Sequence, residues 1–529
     1  MKFDHFGLML DCSRNGVVNP EAVKRYIDIL ARLGYNCLML YTEDTYEVDN
    51  QPYFGYLRGR YTQKELKEID AYAVSKGIEL IPCIQTLAHL PGIAKWRAYK
   101  PLIDVNDILL CEDPRTEQLI EDMFTSIEKS FTSRIVNIGM DEAHMVGLGK
   151  YLEKHGYQNR FEILLKHLNK VCEIAQRHGF KPIMWSDMFF RLVNKGAYYV
   201  TDCTIDESVT KKVPECVSLV YWDYYSDDKN RYDGMIRAHR QFNNELWFAG
   251  GLWTWRGFAP KNARTLDFVS AAMSSVLEND LKNVIFAAWG DGGNECSPFA
   301  ILPSLYYVSQ RAKGIEDMER IKAGFYQEFG IAFDDFMLLD IPNAVTYAPN
   351  EEKNPEKYML YNDCLCGRFD TTVPDGFVPK YAECGEKLAK LANHPEFGYL
   401  FDVEAKLCDV LQVKYTLGAR TRKLYRSGDM QGLKDIIADY DRVLALLEPF
   451  YQAHKTRWYR DNKPFGFEVQ DQRIGGLKLR ITHCKEILQD YISGKIPMIE
   501  ELEQDILPEY GPECAVHNTW AREVSVNFV

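Results

Sequence analysis

The 529-residue chain has a formal net charge of −13, is 46% hydrophobic and 26% charged, and contains 14 cysteines. This composition is typical of a globular protein with more than one domain. The acidic balance and the lack of a basic stripe exclude a general nucleic-acid binder. Because no apolar stretch approaches the roughly 18 residues of a membrane span and residues 6–10 are too short for a signal peptide, we expect no membrane partner and a cytoplasmic location with free thiols.

Eight short apolar runs follow one another along the N-terminal part of the chain, each ahead of a polar loop and an amphipathic segment. Runs that are nearly all apolar are typical of strands buried on both faces of a parallel sheet. Eight strand–helix units predict an α/β fold, a (β/α)8 TIM barrel, over residues 1–335. A doubly wound sheet is the alternative, but residues 11–16 lack its glycine-rich phosphate turn. The runs are residues 6–10, 37–41, 78–84, 135–139, 182–185, 217–222, 246–250 and 284–289.

Beyond residue 335 the pattern changes to long amphipathic segments with helical spacing of their apolar residues. Residues 336–529 are therefore expected to form an α-helical C-terminal domain. The pattern leaves the oligomeric state open, a homodimer included. The predicted helices are residues 382–393, 401–425, 433–454 and 472–491.

The C-terminal ends of the predicted strands, where TIM barrels carry their active sites, are rich in carboxylates and aromatic residues. This mixture suits a pyranose ring, because its apolar faces stack on aromatic rings while its hydroxyls need fixed polar partners. The expected ligand is therefore a small oligosaccharide or another glycan-derived substrate. No HExxH motif or clustered His and Cys spacing predicts a metal site, and no cofactor is expected.

Asp141 and Glu142 directly follow the fourth apolar run. Two adjacent carboxylates repel each other as anions, which favours keeping one of them protonated near neutral pH. A protonated carboxylic acid is what protonation of a glycosidic oxygen requires. An arbitrary Asp-Glu pair is usually a solvated loop, but the strand before this pair predicts a position at the barrel mouth.

The sequence IGMDE at residues 138–142 resembles the fourth-strand signature of glycoside hydrolase family 20, the β-N-acetylhexosaminidases. The resemblance extends over residues 1–330 in strand order, with Asp44 after the second strand and His89 after the third. The missing signal peptide and the helical C-terminal part are similar to bacterial cytoplasmic members of the family.

The resemblance implies a retaining exo-β-N-acetylhexosaminidase in which the 2-acetamido group of the substrate is the nucleophile and an oxazolinium ion is the intermediate. It implies that Glu142 protonates the leaving oxygen, that Asp141 holds the acetamide N–H, and that Tyr225 donates to the acetamide carbonyl. The substrate-binding residues it implies are Arg14, Asp44, His89, Trp185, Trp253, Trp289 and Asp291.

The expected site differs from the family pattern at the first strand, and the resemblance also predicts contacts among its residues. Family members carry an arginine just before the first-strand glycine, whereas this chain has Phe6, so Arg14 is the expected replacement and the choice between GlcNAc and GalNAc stays open. Asp44 and His89 are expected to form a buried charge pair behind Glu142. Trp253 and Trp255 are expected to alternate along their strand, with Trp253 facing the site.

Two other functions fit a sugar-binding barrel. One is another glycosidase for acetamido sugars, such as a chitinase or an O-GlcNAc hydrolase, but the chitinase pattern DxxDxDxE is absent and O-GlcNAc hydrolases use two aspartates. The other is a non-catalytic sugar-binding barrel, which would have no need of the proton donor Glu142.

Overall fold

The computed structural model describes residues 3–344, 354–373, 375–378, 380–507, 519–525 and 527. Eight strands lie in the barrel: β1 His5–Asp11, β2 Cys37–Tyr41, β3 Glu79–Cys83, β4 Ile135–Asn137, β5 Lys181–Trp185, β6 Ser218–Trp222, β7 Leu246–Gly251 and β8 Asn283–Ala288. They are parallel, close in the order β1-β8-β7-β6-β5-β4-β3-β2, and are followed by helices. The predicted (β/α)8 barrel followed by a helical C-terminal region is therefore confirmed.

The barrel strands are short and apolar because both of their faces are buried. Every residue of β2 and of β8 is buried. In the parallel pairing of β1 with β2, Gly7 lies opposite Cys37. A β-carbon at Gly7 would lie 2.4 Å from the Cys37 sulfur, so the two strands pack this closely only with glycine at that position.

Several helices of the barrel begin at a side-chain cap, among them those after Asn19, Thr62, Asp113 and Asn159. The helix Pro20–Leu33 begins after Asn19, whose side chain accepts the Ala22 N–H, and ends at Gly34, which has a φ of 89°. The helices up to residue 317 are Pro20–Leu33, Gln63–Ser75, Pro91–Ala94, Pro114–Ser130, Lys150–His155, Arg160–Arg177, Asp187–Val193, Glu207–Thr210, Lys229–His239, Asn262–Glu278 and Leu302–Ala312, and a hairpin pairs Ile103–Val105 with Ile108–Leu109.

The described chain divides into two compact units. The first contains the described residues up to Leu252 together with Thr265–Trp289 and Ser304–Asp317. The second contains Trp253–Arg264, Gly290–Pro303 and the described residues from Met318 onward. The segments that directly follow β7 and β8 therefore belong to the second unit, although they are connected to barrel strands in the sequence.

The second unit is helical, as predicted, but the helix expected over residues 401–425 is two helices. Gly398–Lys414 is followed by Leu417–Arg426, with Thr416, a β-branched residue of low helix propensity, at the break. The buried Lys414 ammonium also holds the chain there by donating to the carbonyls of Met359 and Asn362. The α-helices of this unit are Met318–Phe329, Phe333–Phe336, Ile341–Ala344, Pro355–Tyr361, Tyr381–Ala389, Gly398–Lys414, Leu417–Arg426, Met430–Asp461, Phe467–Ile492, Glu500–Glu503 and Trp520–Val524.

A helix that crosses a bilayer must be both long and apolar. In the described part of the chain, no helix combines the two properties to the extent that crossing requires.

Candidate active site

The loop after β4 carries Asp141 and Glu142 on an unusual backbone. Gly139, Met140 and Glu142 have φ angles of 72°, 71° and 49°, which side chains other than glycine rarely adopt. Gln85, at the end of β3, holds this loop: its Oε1 accepts the Met140 N–H at 3.1 Å, and its Nε2 donates to Asp141 Oδ1 at 2.8 Å. A β-carbon at Gly139 would lie 2.0 Å from the Gln85 side chain, so this position requires glycine.

Asp141 is buried and ionised. Burial by itself would raise the pKa of Asp141, but His89, whose Nε2 lies 3.2 Å from Asp141 Oδ2, and the Gln85 amide bring that pKa below its ordinary value. Burial likewise would lower the pKa of His89, but the Asp141 carboxylate raises it to about 9. At neutral pH the pair is therefore an imidazolium beside a carboxylate.

Glu142 differs from its neighbour in being accessible. Its side chain is 42% exposed, against 12% for that of Asp141. His89 Nε2 lies 3.7 Å from one Glu142 oxygen, and Arg191 Nη2 lies 3.8 Å from the other. One carboxylate is thus fixed and charged, while the next is open to a ligand and lies between two cations.

Asp187, the first residue of the helix after β5, contacts the backbone of Glu142. Its Oδ2 accepts the Glu142 N–H at 3.2 Å and lies 3.0 Å from Nε of Arg191. Complete burial and the neighbouring Asp141 charge raise the pKa of Asp187 to about 7. This side chain therefore links the backbone of Glu142 to the guanidinium that lies near its carboxylate.

Arg14 lies among aromatic rings at the ends of β1, β2 and β8. Its Nε is 2.9 Å from Glu43 Oε1, which also accepts the Tyr41 hydroxyl at 3.1 Å. The guanidinium lies over the rings of Tyr41 and Trp289, at 5.6 and 5.4 Å from their centroids. Burial raises the pKa of Glu43, although the Arg14 charge opposes this effect. The arrangement holds a planar cation at the barrel mouth.

Three predicted aromatic residues lie at strand ends in the same unit. Trp185 is buried, and its ring centroid is 6.2 Å from that of Trp289, which is half-buried. Tyr224 makes a side-chain hydrogen bond with Trp289. Tyr225 is half-buried on the loop after β6, and its N–H donates to Asp223 Oδ1 at 3.1 Å.

The charge pair expected between Asp44 and His89 is wrong. His89 pairs with Asp141, whereas Asp44 lies 3.0 Å from Nε of Arg58. The Asp44 carboxylate is enclosed by backbone, since a β-carbon at Gly92 would lie 2.1 Å from Asp44 Oδ2. Asp44 therefore anchors the loop after β2, and its contacts do not reach the acid pair, Asp141 and Glu142.

Trp253 and Trp255 do not alternate along a strand, because β7 ends at Gly251. Both are buried, and their ring centroids are 4.7 Å apart. The expectation that Trp253 faces the site while Trp255 points to the opposite side of the strand is therefore wrong. Arg256 lies over the Trp253 ring. Trp253 and the half-buried Asp291 both belong to the second unit, and their roles toward a ligand stay predictions.

The sequence indicated Gln85 as a strand-end residue of the site but gave it no role, and it did not identify Tyr41 and Arg191 as site residues. Gln85 and Tyr41 stand at strand ends, a signal that was available. Arg191 lies four residues after Asp187 on one helix, a spacing shared with many surface ion pairs. Across the described residues, no group of three or more His, Cys, Asp or Glu side chains is arranged to hold a metal ion.

Two family descriptions match the chain, and together they cover more than half of it. "Glycosyl hydrolase family 20, catalytic domain" matches residues 3–223, and "Glycoside Hydrolase 20C C-terminal domain" matches residues 334–520. The chain belongs to glycoside hydrolase family 20. The first match contains the acid pair, His89 and Asp187, and the second lies within the helical unit.

The individual relatives are distant in sequence. Hexosaminidase D of Bos taurus is 25% identical over 265 residues, which are 47% of this chain and 70% of that protein. Hexosaminidase D of Homo sapiens is 26% identical over 209 residues, 37% of this chain and 40% of that protein. A crystal structure of a Vibrio harveyi family 20 exo-β-N-acetylglucosaminidase with N-acetylglucosamine has 16% identity and a TM-score of 0.49, covering 64% of this chain and 58% of that one. The chain thus spans less than two thirds of the human and Vibrio proteins.

Proposed function

We propose that the protein is a retaining exo-β-N-acetylhexosaminidase that removes terminal β-linked GlcNAc or GalNAc from small glycans by substrate-assisted catalysis. The observation that carries the proposal is the unlike pair after β4: a buried Asp141 carboxylate held ionised by His89, next to an accessible Glu142. Two adjacent carboxylates in different environments suit two different tasks. The family membership supports the same reaction class.

The proposed first step forms an oxazolinium ion. The acetamide carbonyl oxygen forms a bond to C1 as the glycosidic C1–O bond breaks, and the leaving oxygen takes the proton of Glu142. Positive charge develops on the acetamide, and the fixed Asp141 carboxylate accepts its N–H and stabilises that charge. Tyr225 is proposed to donate to the carbonyl oxygen and so to orient it for attack.

The second step returns the enzyme to its starting state. Glu142, now a carboxylate, takes a proton from water as the water oxygen bonds to C1 and the bond between C1 and the carbonyl oxygen breaks. Two displacements at C1 retain the β configuration. His89 and Arg191, on either side of Glu142, are arranged to stabilise its carboxylate between the two steps.

The sugar itself is proposed to bind against the aromatic residues at the barrel mouth. The half-buried Trp289 is proposed to offer apolar surface to the ring, with the buried Trp185 beside it as the proposed wall of the acetamide pocket, and the Arg14 guanidinium offers parallel donors to two hydroxyls. The contacts of Arg14 with Glu43, Tyr41 and Trp289 fix the guanidinium before a ligand arrives. Trp253 and Asp291 stay candidates for further contacts.

The test compares p-nitrophenyl β-GlcNAc, β-GalNAc and β-glucoside as substrates of the wild type, Asp141→Asn and Glu142→Gln. We expect turnover of the acetamido sugars alone, with kcat/KM reduced by at least about 100-fold in both variants. Glu386→Gln, an exposed acid on the helix Tyr381–Ala389, is the matched control and should behave as wild type. Equal turnover of the plain glucoside would contradict the assignment of Asp141, because that substrate has no acetamide to orient.

A further inference from the structure

Tyr53, Tyr56 and Trp96 form an aromatic cluster on the surface of the barrel unit. Their ring centroids are 5.5 to 5.8 Å apart, within the range of favourable aromatic pairs. Tyr53 is 44% exposed and Tyr56 is 43% exposed. Because the Lys95 ammonium lies over the Trp96 ring, the two tyrosines provide most of the open aromatic surface. Contiguous exposed apolar surface, unlike a single exposed side chain, is a feature of ligand-binding sites.

The aromatic cluster lies on the same end of the barrel as the acid pair. Tyr53 and Tyr56 are in the loop after β2, and Trp96 is in the loop after β3. The carboxyl ends of the parallel strands of a TIM barrel lie on one face, so both loops border the active-site opening. The loop that carries Trp96 also carries His89, which contacts Asp141 and Glu142.

The loop after β2 is fixed rather than free. Arg58, two residues after Tyr56, pairs with the buried Asp44 at 3.0 Å and donates to the Ser13 carbonyl. Gly55 lies so close to the backbone of Asp44 that a β-carbon there would be 2.2 Å from the Asp44 carbonyl oxygen. Rings on a loop held in this way lose little conformational freedom when a ligand binds.

We infer that Tyr53, Tyr56 and Trp96 form a subsite for the sugar on the leaving-group side of the scissile bond, so that oligosaccharides are preferred over simple glycosides. This inference rests on the proposed function. The terminal sugar is assigned to the acid pair and to Arg14 with its neighbouring aromatic rings. The next sugar must extend outward from Glu142 across the rim of the barrel opening. Tyrosines suit such a rim position, because each has an apolar face for the sugar ring and a hydroxyl that stays in water.

The experiment compares two substrates that differ only beyond the scissile bond: the trisaccharide of β-1,4-linked GlcNAc and methyl β-GlcNAc, whose aglycone has no ring. In Tyr53→Ala/Tyr56→Ala we expect kcat/KM for the trisaccharide to fall about tenfold, mostly through KM, with the methyl glycoside unchanged. Tyr53→Phe/Tyr56→Phe, which keeps both rings, should stay near wild type. Tyr326→Ala, which removes a 59% exposed tyrosine from the helix Met318–Phe329, is the matched surface control.

Each other outcome overturns the subsite. An equal loss on both substrates would mean that the tyrosines support the fold or the acid pair, and no loss on either would mean that the aglycone does not reach them. A change in the sedimentation of the double variant, with both substrates unaffected, would mean that the aromatic cluster binds a second copy of this chain. If the wild type turns over neither of these substrates nor p-nitrophenyl β-GalNAc, the proposed function itself fails, which is distinct from a wild type that turns over both GlcNAc substrates at equal kcat/KM.

Discussion

Replacing His89 with glutamine removes the cation 3.2 Å from the buried Asp141 carboxylate. Although burial lowers the pKa of His89, Asp141 raises it from 6.5 to about 9. At about 1.4 kcal/mol per pH unit, this difference corresponds to roughly 3 kcal/mol of preference for the imidazolium. In the variant Asp141 would be buried without that partner. If the same free energy is lost from the transition state, kcat/KM falls by about 100-fold.

The pH dependence of kcat/KM follows from the raised pKa of His89. Folding raises the pKa of His89, so its contribution to stability is complete below its unfolded pKa of about 6.5 and is lost as the pH rises through about 9. Wild-type kcat/KM should therefore decrease on an alkaline limb near pH 9, and His89→Gln should lack that limb.

The assay is the initial rate of p-nitrophenyl β-GlcNAc hydrolysis across the alkaline range for the wild type and His89→Gln. His483→Gln, an exposed histidine of the helix Phe467–Ile492, is the matched control and should keep the wild-type profile. If His89→Gln retains kcat/KM within a few-fold of the wild type together with the alkaline limb, His89 is not the cation that keeps Asp141 charged.

Three further results are expected. In urea unfolding, Gly139→Ala should lower the free energy of unfolding by about 2 kcal/mol or more, because φ is 72° and the new β-carbon would clash with Gln85. Gly77→Ala, at a φ of 74° with open space around it, should lower it by only about 1 kcal/mol. Equal losses in the two variants would exclude the contact with Gln85. Asp187→Ala should lower kcat about tenfold with little change in KM, because it removes the acceptor of the Glu142 N–H. Asp187→Asn keeps an acceptor and should restore most of the wild-type kcat. An unchanged kcat in Asp187→Ala would mean that Asp187 does not position Glu142. Arg14→Ala should raise KM for p-nitrophenyl β-GlcNAc about tenfold, and a KM within a few-fold of wild type would mean that Arg14 does not hold the sugar hydroxyls.

Burial on both faces made the barrel predictable from sequence. The expected runs coincide with the strands to within a few residues, because the interior of a strand that is covered on both sides is apolar and such a strand usually ends where the chain reaches a polar loop. The fourth run is an instructive exception: residues 135–139 were expected, but β4 ends at Asn137. Gly139 and Met140 then adopt positive φ, so the apolar residues continue where the strand has already ended.

The contacts of the site were less predictable than its residues. Asp141, Glu142 and His89 stand at strand ends and could be identified from position, but the partner of Asp44 could not. Arg58 lies far along the loop after β2, and the path of such a loop is not encoded in a short pattern. The same limit applies to Trp253 and Trp255, which follow the end of β7 and pack against each other.

A series of p-nitrophenyl β-glycosides with N-acetyl, N-fluoroacetyl, N-difluoroacetyl and N-trifluoroacetyl groups tests whether the substrate's own acetamide is the nucleophile. Each fluorine withdraws electrons from the carbonyl oxygen and weakens it as a nucleophile, while the ring and the leaving group stay the same. If the acetamide attacks C1, wild-type kcat decreases steeply along the series. A kcat that is independent of fluorination would exclude the acetamide as nucleophile and would require a nucleophile from the protein.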